Sequence, residues 1–371
     1  MQPKITICHI SQSAGGVETY INEIISNTSK KFNHIVICGN NGTLYKTAHY
    51  IGAKVIFIKM VREISLFKDL LTLIRIIAVI IKIKPNILHV HSGKGGFWGR
   101  IAGLILGIPT IFTPNAFSHL GLTSGKKKFI LTVEKVLSNK GIYFVGASNS
   151  ECIRAINEIG WKENKVFNIF PNSITVSSNI LLKKDNKKID VILVGRMTYQ
   201  KNPELFLEIV NKIVAQNNKI RFCWIGSGYG DELGKIIRQK IVDLKLGDKI
   251  MIKPWTTKQE VIKVLSESHI YLSTSRYEGL PFVLLEAMDN FMPLVVSNVD
   301  GNRDVVSQGV NGYLCNSVDD YIEAILLLSS NESLRTSLGN NSKKLLLEKF
   351  NIKKNIKNLE SIYECITKVT N

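Results

Sequence analysis

The chain has 371 residues, 45% of them hydrophobic and 21% charged, and a net charge of +18 at pH 7. This length exceeds what one hydrophobic core usually fills, and the composition excludes a disordered protein, so we expect two globular domains. Residues 1–172 carry +13 of the net charge. Such a basic half favours an anionic partner, a phosphate group or a lipid surface, although a solvated lysine-rich surface has the same composition.

The six cysteines form no C-x-x-C pair, and most of them lie in apolar, strand-like runs. This spacing excludes a disulfide framework or a cysteine zinc site and is typical of buried, reduced thiols. The first ten residues predict a strand and not a signal peptide. We therefore expect a cytoplasmic protein.

The most apolar stretch of the chain is 66–83, but charged residues interrupt it, which excludes a membrane-spanning helix. We interpret it as a helix packed on a sheet. The alternative is an interfacial helix that turns basic side chains towards anionic headgroups. The basic residues concerned are Lys59, Arg62, Arg75, Lys82 and Lys84. For the N-terminal half as a whole, we expect peripheral contact with a membrane.

Short apolar runs alternate with helical periodicity along the first half of the chain. Strands are predicted at 4–10, 33–38, 54–58, 87–91, 109–113 and 142–147. Helices are predicted at 17–30, 66–83, 96–106, 127–139 and 149–158. This alternation implies a parallel sheet that helices cover on both faces.

The polar, lysine-rich segment 173–188 is the predicted linker, and the alternation then restarts. Strands are predicted at 189–195, 220–225, 249–252, 269–273 and 293–297, and helices at 203–216, 230–245, 257–267 and 281–289. The fold class is therefore α/β, with two Rossmann-like, doubly wound domains, 1–172 and 189–350, that face each other across a cleft. Residues 351–371 are expected to form a C-terminal helix that can cross back to the N-terminal domain.

The segment 194–203 (VGRMTYQKNP) places two cations where a strand gives way to a helix. The strand is predicted to end at Gly195, and Pro203 suits the first turn of the helix. Arg196 and Lys201 then lie where backbone N–H groups and the helix dipole stabilise an anion. Two cations there could hold a diphosphate, and the alternative is a pair of solvated surface cations.

The segment 275–288 (SRYEGLPFVLLEAM) holds two glutamates eight residues apart. Pro281 suits a helix start, so Glu278 precedes the helix and Glu286 lies inside it. A carboxylate among apolar neighbours needs a partner, and a pair of ribose hydroxyls would serve. The alternative is a helix-capping acid followed by a surface glutamate.

Together and in this order, the two segments resemble the family 4 retaining glycosyltransferases, which have the GT-B fold. The E-x7-E spacing of that family is met by Glu278 and Glu286, and its G-R-x4-K element by Gly195, Arg196 and Lys201. The similarity covers nearly the whole chain and includes the segments 15–18 (GGVE), 225–230 (IGSGYG), 300–306 (DGNRDVV) and 311–313 (NGY). Segments 113–117 and 148–151 are most similar to bacterial transferases of capsule and O-antigen synthesis.

The resemblance implies that Arg196 and Lys201 neutralise the diphosphate of a UDP-sugar and that Glu278 contacts the sugar hydroxyls. The other donor-site residues that it implies are Gly16, Gly195 and Gly226 near the phosphates, Gly279, Leu280 and Pro281 at the helix start, Pro254 and Trp255 near the base, and Glu286 at the ribose. The departing phosphate would assist the incoming hydroxyl on the same face, so no metal, cofactor or protein nucleophile is required. The acceptor would be a lipid-linked, undecaprenyl-type glycan at the inner face of the cytoplasmic membrane.

The acceptor-side candidates are His91, Asn115 and Lys126, and the loops 39–50 and 115–128 are expected to meet the acceptor. Many members of the family carry histidine where this chain has Asn115, and an amide does not take a proton near neutral pH, so we expect no general base there. His89 and His91 could form a metal pair, but no third ligand is evident, and we expect His91 to face the cleft.

Two further features leave alternatives open. Asp300-Gly301 stands where the family often has two glycines, which places a carboxylate at the cleft rim or in a turn. Lys126-Lys127-Lys128 predicts attraction to a membrane or to an acceptor pyrophosphate, or else a solvated turn. The basic residues are not interleaved with aromatic ones, so nucleic acid is not an expected partner. The alternatives to a transferase are another GT-B enzyme, an epimerase or phosphorylase, and a nucleotide-sugar-binding protein without turnover.

Overall fold

The computed structural model describes residues 4–12, 15–39, 43–61, 65–138, 140–178, 188–217, 219–227 and 232–370. The chain divides into two compact units. The first unit comprises Met1–Thr175 and Asn351–Asn371, and the second unit comprises Val176–Phe350. Ser173 and Thr175, which the sequence places in the linker, are hydrogen-bonded inside the first unit, to Asn355 and Glu23.

The first unit is built on a seven-stranded parallel sheet of order β3-β2-β1-β4-β5-β6-β7. Its strands are β1 (Ile5–Ser11), β2 (Phe32–Cys38), β3 (Lys54–Phe57), β4 (Ile87–His91), β5 (Thr110–Thr113), β6 (Ile142–Val145) and β7 (Val166–Phe167). Its helices up to residue 154 are α1 (Gly16–Asn27), α2 (Thr43–Tyr50), α3 (Leu66–Ile83), α4 (Gly93–Leu106), α5 (Ser124–Ser138) and α6 (Asn149–Arg154). The strand order reverses between β1 and β4, which is where doubly wound sheets open a binding crevice.

The second unit is built on a six-stranded parallel sheet of order β10-β9-β8-β11-β12-β13. Its strands are β8 (Ile189–Val194), β9 (Ile220–Ser227), β10 (Ile250–Pro254), β11 (Ile270–Ser273), β12 (Leu294–Ser297) and β13 (Gly312–Cys315). Its helices are α7 (Pro203–Gln216), α8 (Glu232–Asp243), α9 (Lys258–Glu267), α10 (Phe282–Asp289), α11 (Asn302–Val305), α12 (Val318–Ser330) and α13 (Glu332–Lys349). The predicted class, α/β with two doubly wound parallel sheets, is confirmed.

The last helix, α14 (Ile352–Thr370), returns to the first unit and packs against α1 and β4. Its amphipathic pattern explains this packing, since Leu359, Ile362, Tyr363 and Ile366 are all buried. In the described part of the chain, no helix combines the length and the apolar character needed to cross a bilayer.

Four histidines line the face of the first sheet that carries α14. Strand register pairs His9 with His89, and His34 and His91 point to the same side because side chains alternate along a strand. Hydrogen bonds link His34 Nδ1 to His9 Nε2 (3.0 Å) and His9 Nδ1 to His91 Nε2 (3.1 Å). A further bond of 2.7 Å joins His89 Nδ1 and the Tyr363 hydroxyl, so α14 is tied to this layer.

This histidine layer corrects two expectations. His91 is fully buried, so its ring does not face a cleft. His9 supplies the third nitrogen that the sequence did not reveal, because His9, His89 and His91 offer ligand atoms within 4.8 Å of one another. Both nitrogens of His9, however, already serve hydrogen bonds to other rings.

We expect the histidine layer to make the protein acid-sensitive. Burial lowers the pKa of His34 to about 4 and that of His91 to about 3, from an ordinary value of 6.5. At a pH between the lowered pKa and 6.5, each of these histidines is protonated in the unfolded chain but not in the folded one. The free energy of unfolding therefore falls as pH drops below 6.5, by up to about 1.4 kcal/mol per pH unit for each histidine. Thermal unfolding between pH 7.5 and 4.5 measures this slope. His34→Gln should reduce it, and the exposed His49→Gln should not; equal slopes for all three proteins would contradict the prediction.

Candidate functional site

The candidate site of the second unit lies where β8 and β11, neighbours in the sheet, reach their carboxyl ends. The strand order reverses between these two strands, so the loops that follow them diverge and leave room for a ligand. The loop after β8 carries Arg196 and Lys201 and leads into α7, whose first residue is Pro203 as predicted. The loop after β11 carries Glu278 and leads into α10.

Lys201 and Glu278 form a largely buried ion pair. Lys201 Nζ donates to Glu278 Oε1 at 2.6 Å, and Gln200 Nε2 donates to Glu278 Oε2 at 3.3 Å. Only 7% of Glu278 is exposed, so its charge needs such a partner. The two predicted segments are thus joined at their charged residues. The ammonium group also has hydrogens left over with which it can reach a bound anion.

Backbone contacts reinforce the link between the two loops. Arg276 N–H donates to the Gln200 carbonyl at 2.8 Å, and its guanidinium donates to the Tyr199 carbonyl at 2.6 Å and lies over the Tyr199 ring. Thr274 Oγ1 donates to the Lys201 carbonyl at 2.7 Å. These ties fix the relative position of Lys201 and Glu278 before any ligand binds. The sequence held no signal for them, because each joins residues more than 70 positions apart.

Two glycines allow backbone segments to touch beside the ion pair. A Cβ on Gly226, which has φ +120°, would lie 2.4 Å from the Gly195 carbonyl oxygen. A Cβ on Gly301, with φ +77°, would lie 2.4 Å from the Gly279 carbonyl oxygen. Only glycine fits at either point without a backbone shift. Gly226 therefore packs closely on Gly195, and Gly301 on Gly279.

Arg196 is exposed, in contrast to Lys201, so it presents its charge at the surface of the loop after β8. Pro254 ends β10, where it pairs with Ser227, and the next residue, Trp255, leaves 54% of its surface exposed. Exposed tryptophan beside a strand end offers a flat face for stacking. Leu280 is buried and Pro281 caps α10, so a ligand would meet the backbone at Leu280 and not its side chain.

Glu286 lies on α10 as predicted, and its partner in this structure is Lys258, with 3.8 Å between Nζ and Oε1. Burial raises the pKa of the Tyr271 hydroxyl well above its ordinary value, and the carboxylates of Glu278 and Glu286 raise it further. Both glutamates therefore act on the same buried group of β11. Asp300 accepts a hydrogen bond from Arg303 at 2.8 Å, which places its carboxylate in the turn before α11.

The remaining predicted residues lie in the first unit. Gly16 is the exposed first residue of α1, after Gly15 at φ +91°. Lys126 is exposed in the first turn of α5, so the three lysines lie inside that helix and not before it. In the predicted loop 39–50, residues 43–50 form α2, and 40–42 lie outside the described residues.

Asn115 lies at the carboxyl end of β5 in a left-handed turn that Glu151 secures. Asn115 has φ +53° and Ala116 has φ +84°, a conformation that costs an alanine about 1–2 kcal/mol. The buried carboxylate of Glu151 accepts from Ala116 N–H at 2.8 Å and from Ala147 N–H at 2.7 Å. Asn115 Nδ2 is buried and has no hydrogen-bond partner among the described residues. Ser148 caps α6, since its hydroxyl accepts from Glu151 N–H at 3.1 Å, and the sequence held no signal for the link that Glu151 makes between two loops.

Comparison with known proteins agrees with this architecture. Residues 14–174 match the family described as "Glycosyltransferase Family 4", and residues 178–345 match "Glycosyl transferases group 1". The chain is 26% identical to the UDP-Gal:alpha-D-GlcNAc-diphosphoundecaprenol alpha-1,3-galactosyltransferase of Escherichia coli, over 97% of both chains. It is also 26% identical to the O-antigen biosynthesis glycosyltransferase WbnH of Escherichia coli, over 83% of this chain and 84% of that one. The fold is shared with Anabaena Alr3699/HepE, solved in complex with UDP and glucose, at 15% identity and a TM-score of 0.80 over 98% of this chain and all of that one.

Proposed function

Because the chain belongs to the family 4 glycosyltransferases with the GT-B fold, we propose that it transfers a sugar from a UDP-sugar to a lipid-linked glycan, with retention of configuration, in the synthesis of a bacterial surface polysaccharide. The observation that carries the proposal is the Lys201–Glu278 pair beside the exposed Arg196 at the ends of β8 and β11. Full-length similarity to a transferase named for UDP-Gal and a diphosphoundecaprenol acceptor supports the donor and acceptor classes.

In the proposed reaction, the bond between the anomeric carbon and the diphosphate oxygen breaks, and the acceptor oxygen forms a bond to the same face of that carbon. The acceptor proton passes to the departing phosphate. Arg196 and Lys201 both supply positive charge to the leaving group, and Lys201 also binds Glu278. Preorganised charge of this kind lowers the barrier without a protein nucleophile, a metal or a cofactor.

Glu278 has a second role in the proposal, at the sugar. Its Oε2 is held by the long, 3.3 Å contact from Gln200, which a sugar hydroxyl can replace. Lys201 would then bridge the sugar-binding carboxylate and the phosphate. Glu286 would take the ribose hydroxyls, and Trp255 would stack on the base. We assign acceptor recognition to the first unit, with Asn115 and Lys126 as contacts, at the inner face of the cytoplasmic membrane.

The proposal is tested with a thermal-shift panel of UDP, GDP and ADP, followed by a transfer assay. UDP alone should stabilise the protein, and Arg196→Ala should reduce that shift. Labelled sugar should then move from a UDP-sugar to an undecaprenyl-diphosphate-linked saccharide and become extractable into butanol. Tight UDP binding without transfer to any such acceptor would instead identify a binding protein without turnover. No response to any nucleotide would overturn the donor site.

We expect Glu151 to control acceptor use through the turn at Asn115 and Ala116. Glu151→Gln removes the charge that holds the turn, so kcat/KM for the acceptor should fall about tenfold, the equivalent of the alanine strain, while KM for the donor is unchanged. Glycine adopts positive φ without strain, so Ala116→Gly introduced into Glu151→Gln should restore most of the loss. Steady-state kinetics with each substrate varied in turn measures both effects. A double variant as slow as Glu151→Gln would show that the carboxylate does not act through this turn.

A further inference from the structure

The outer face of α3 is apolar along its whole length. Phe67, Ile74 and Ile81 are 73%, 53% and 55% exposed and are spaced seven residues apart. Seven residues are close to two helical turns, so the three side chains form one row along the helix. Leu70, between the first two members of this apolar row, is also 54% exposed. Soluble proteins rarely leave such a continuous strip of large apolar side chains in water.

A second row runs beside the first and is cationic. Lys68, Arg75 and Lys82 are each one position beyond a member of the apolar row, and all three are exposed. The acidic residue of α3, Asp69, points the other way, where it is buried and binds Lys94 Nζ at 2.7 Å. The exposed face of α3 therefore combines apolar and positively charged side chains and has no acidic one.

The neighbouring helix extends the surface. α3 and α4 pack together, and both lead back into parallel strands, so their C-terminal ends lie at the same edge of the sheet. At that end α4 exposes Leu104 and, at 60%, Ile105. Both helices thus expose apolar side chains at this end.

The cationic row indicates which kind of partner can cover the exposed face of α3. A second copy of the chain would bring two identical cationic rows together, which is unfavourable when apolar surfaces close around them. A bilayer with anionic lipids satisfies both rows at once, because apolar side chains enter below the headgroups while lysine and arginine stay at the phosphates. α3 cannot cross that bilayer, because four of its 18 residues are charged.

We propose that α3 lies flat on an anionic membrane, with the apolar row of Phe67, Ile74 and Ile81 inserted and the cationic row of Lys68, Arg75 and Lys82 at the phosphate level. The buried side of α3, with Leu73, Ile76 and Ile80, packs on the sheet as the sequence predicts, and the proposal adds a membrane contact for the opposite side. The inference rests on the proposed function, because it says how the enzyme would reach a lipid-linked acceptor. The α3 surface belongs to the first unit, and the proposed donor site belongs to the second. Of the basic residues considered from the sequence, Arg62 lies outside the described residues.

The test is co-sedimentation of the full-length protein with vesicles of phosphatidylcholine alone or with phosphatidylglycerol added. Binding should require phosphatidylglycerol. Replacing Lys68, Arg75 and Lys82 together with Gln should weaken it about a hundredfold, since each basic residue near an anionic surface contributes about 1 kcal/mol. Replacing Phe67, Ile74 and Ile81 together with Gln should abolish binding to the vesicles. The matched control replaces three exposed lysines of the second unit, Lys235, Lys263 and Lys344, with Gln and should bind like the parent protein.

These outcomes test the α3 surface independently of the proposed sugar transfer. Equal binding of the parent and the α3 variants would overturn the proposal, as would a parent protein that is dimeric and becomes monomeric in the apolar-row variant. UDP binding in the thermal-shift panel should be the same in all these variants, because none touches the loops after β8 and β11. Vesicle binding without UDP binding would leave the surface standing and reject the donor site.

Discussion

Replacing Arg196 with Ala should lower kcat for sugar transfer by about two to three orders of magnitude, the cost of removing one preorganised charge from a leaving group. Its side chain is exposed, so its removal should leave thermal unfolding unchanged. Transfer from a UDP-sugar, followed in single-turnover reactions at saturating donor, measures the chemical step. Arg196→Lys should recover little of the rate if a two-pronged contact with the diphosphate is what matters.

The control for this variant is Arg221→Ala. Arg221 is also an exposed arginine of the second unit, but it lies near the start of β9, at the opposite edge of the sheet, where it binds Asp190. Its loss should not change kcat. Lys201→Ala should differ from both, because it removes a charge from the site and also leaves Glu278 buried without its counter-ion, so rate and stability should fall together. An unchanged rate in Arg196→Ala would reject the leaving-group mechanism.

Glu134→Gln should destabilise the first unit by about 3–5 kcal/mol, because it leaves the guanidinium of Arg100 buried without a counter-charge. Arg100 is fully buried between α4 and α5, and both of its terminal nitrogens donate to Glu134 at 2.7 Å. Its guanidinium also lies 3.9 Å from the centre of the Phe112 ring. For a unit of this size the loss corresponds to a fall of roughly 10 °C in the unfolding temperature, measurable by calorimetry.

The chain offers a matched pair for comparison. Arg221 also makes a two-pronged contact, from Nε and Nη2 to the carboxylate of Asp190, but at the surface of the second unit. Asp190→Asn should cost less than about 1 kcal/mol, since solvent screens exposed ion pairs. Replacing both buried partners, Arg100→Met with Glu134→Leu, should recover most of the stability lost in Glu134→Gln. Equal losses in Glu134→Gln and Asp190→Asn would mean that burial does not set the strength of the contact.

Periodicity in the sequence predicts most of the fold, because buried parallel strands read as short apolar runs and the covering helices as longer amphipathic ones. The elements that it missed are short or weakly apolar. In α2, Leu44 is the one leucine, and the sequence predicts a loop there. β13 is a strand of four residues directly after Asn311. Both owe their conformation to neighbours elsewhere in the chain.

The sequence predicts that the charged residues of the candidate site lie close together, because parallel strands bring their carboxyl ends to one edge of the sheet, whatever lies between them in the chain. What could not be found is how those residues pair. Lys201 was expected to serve a diphosphate alone, and the structure gives it Glu278 as a partner. The sequence predicts that His91 faces a cleft, but its ring is buried against His9 and Tyr20, which come from other elements.

The return of α14 to the first unit has a consequence for synthesis of the chain. Tyr363 closes the histidine layer, and Ser29 N–H donates to Glu360, so this face of the sheet that begins at residue 5 is covered by a helix that leaves the ribosome only after the whole second unit. The second unit is continuous in sequence and can fold as soon as it emerges. The first unit must instead wait, with its β1–β4 face uncovered, until residues 352–370 have been made.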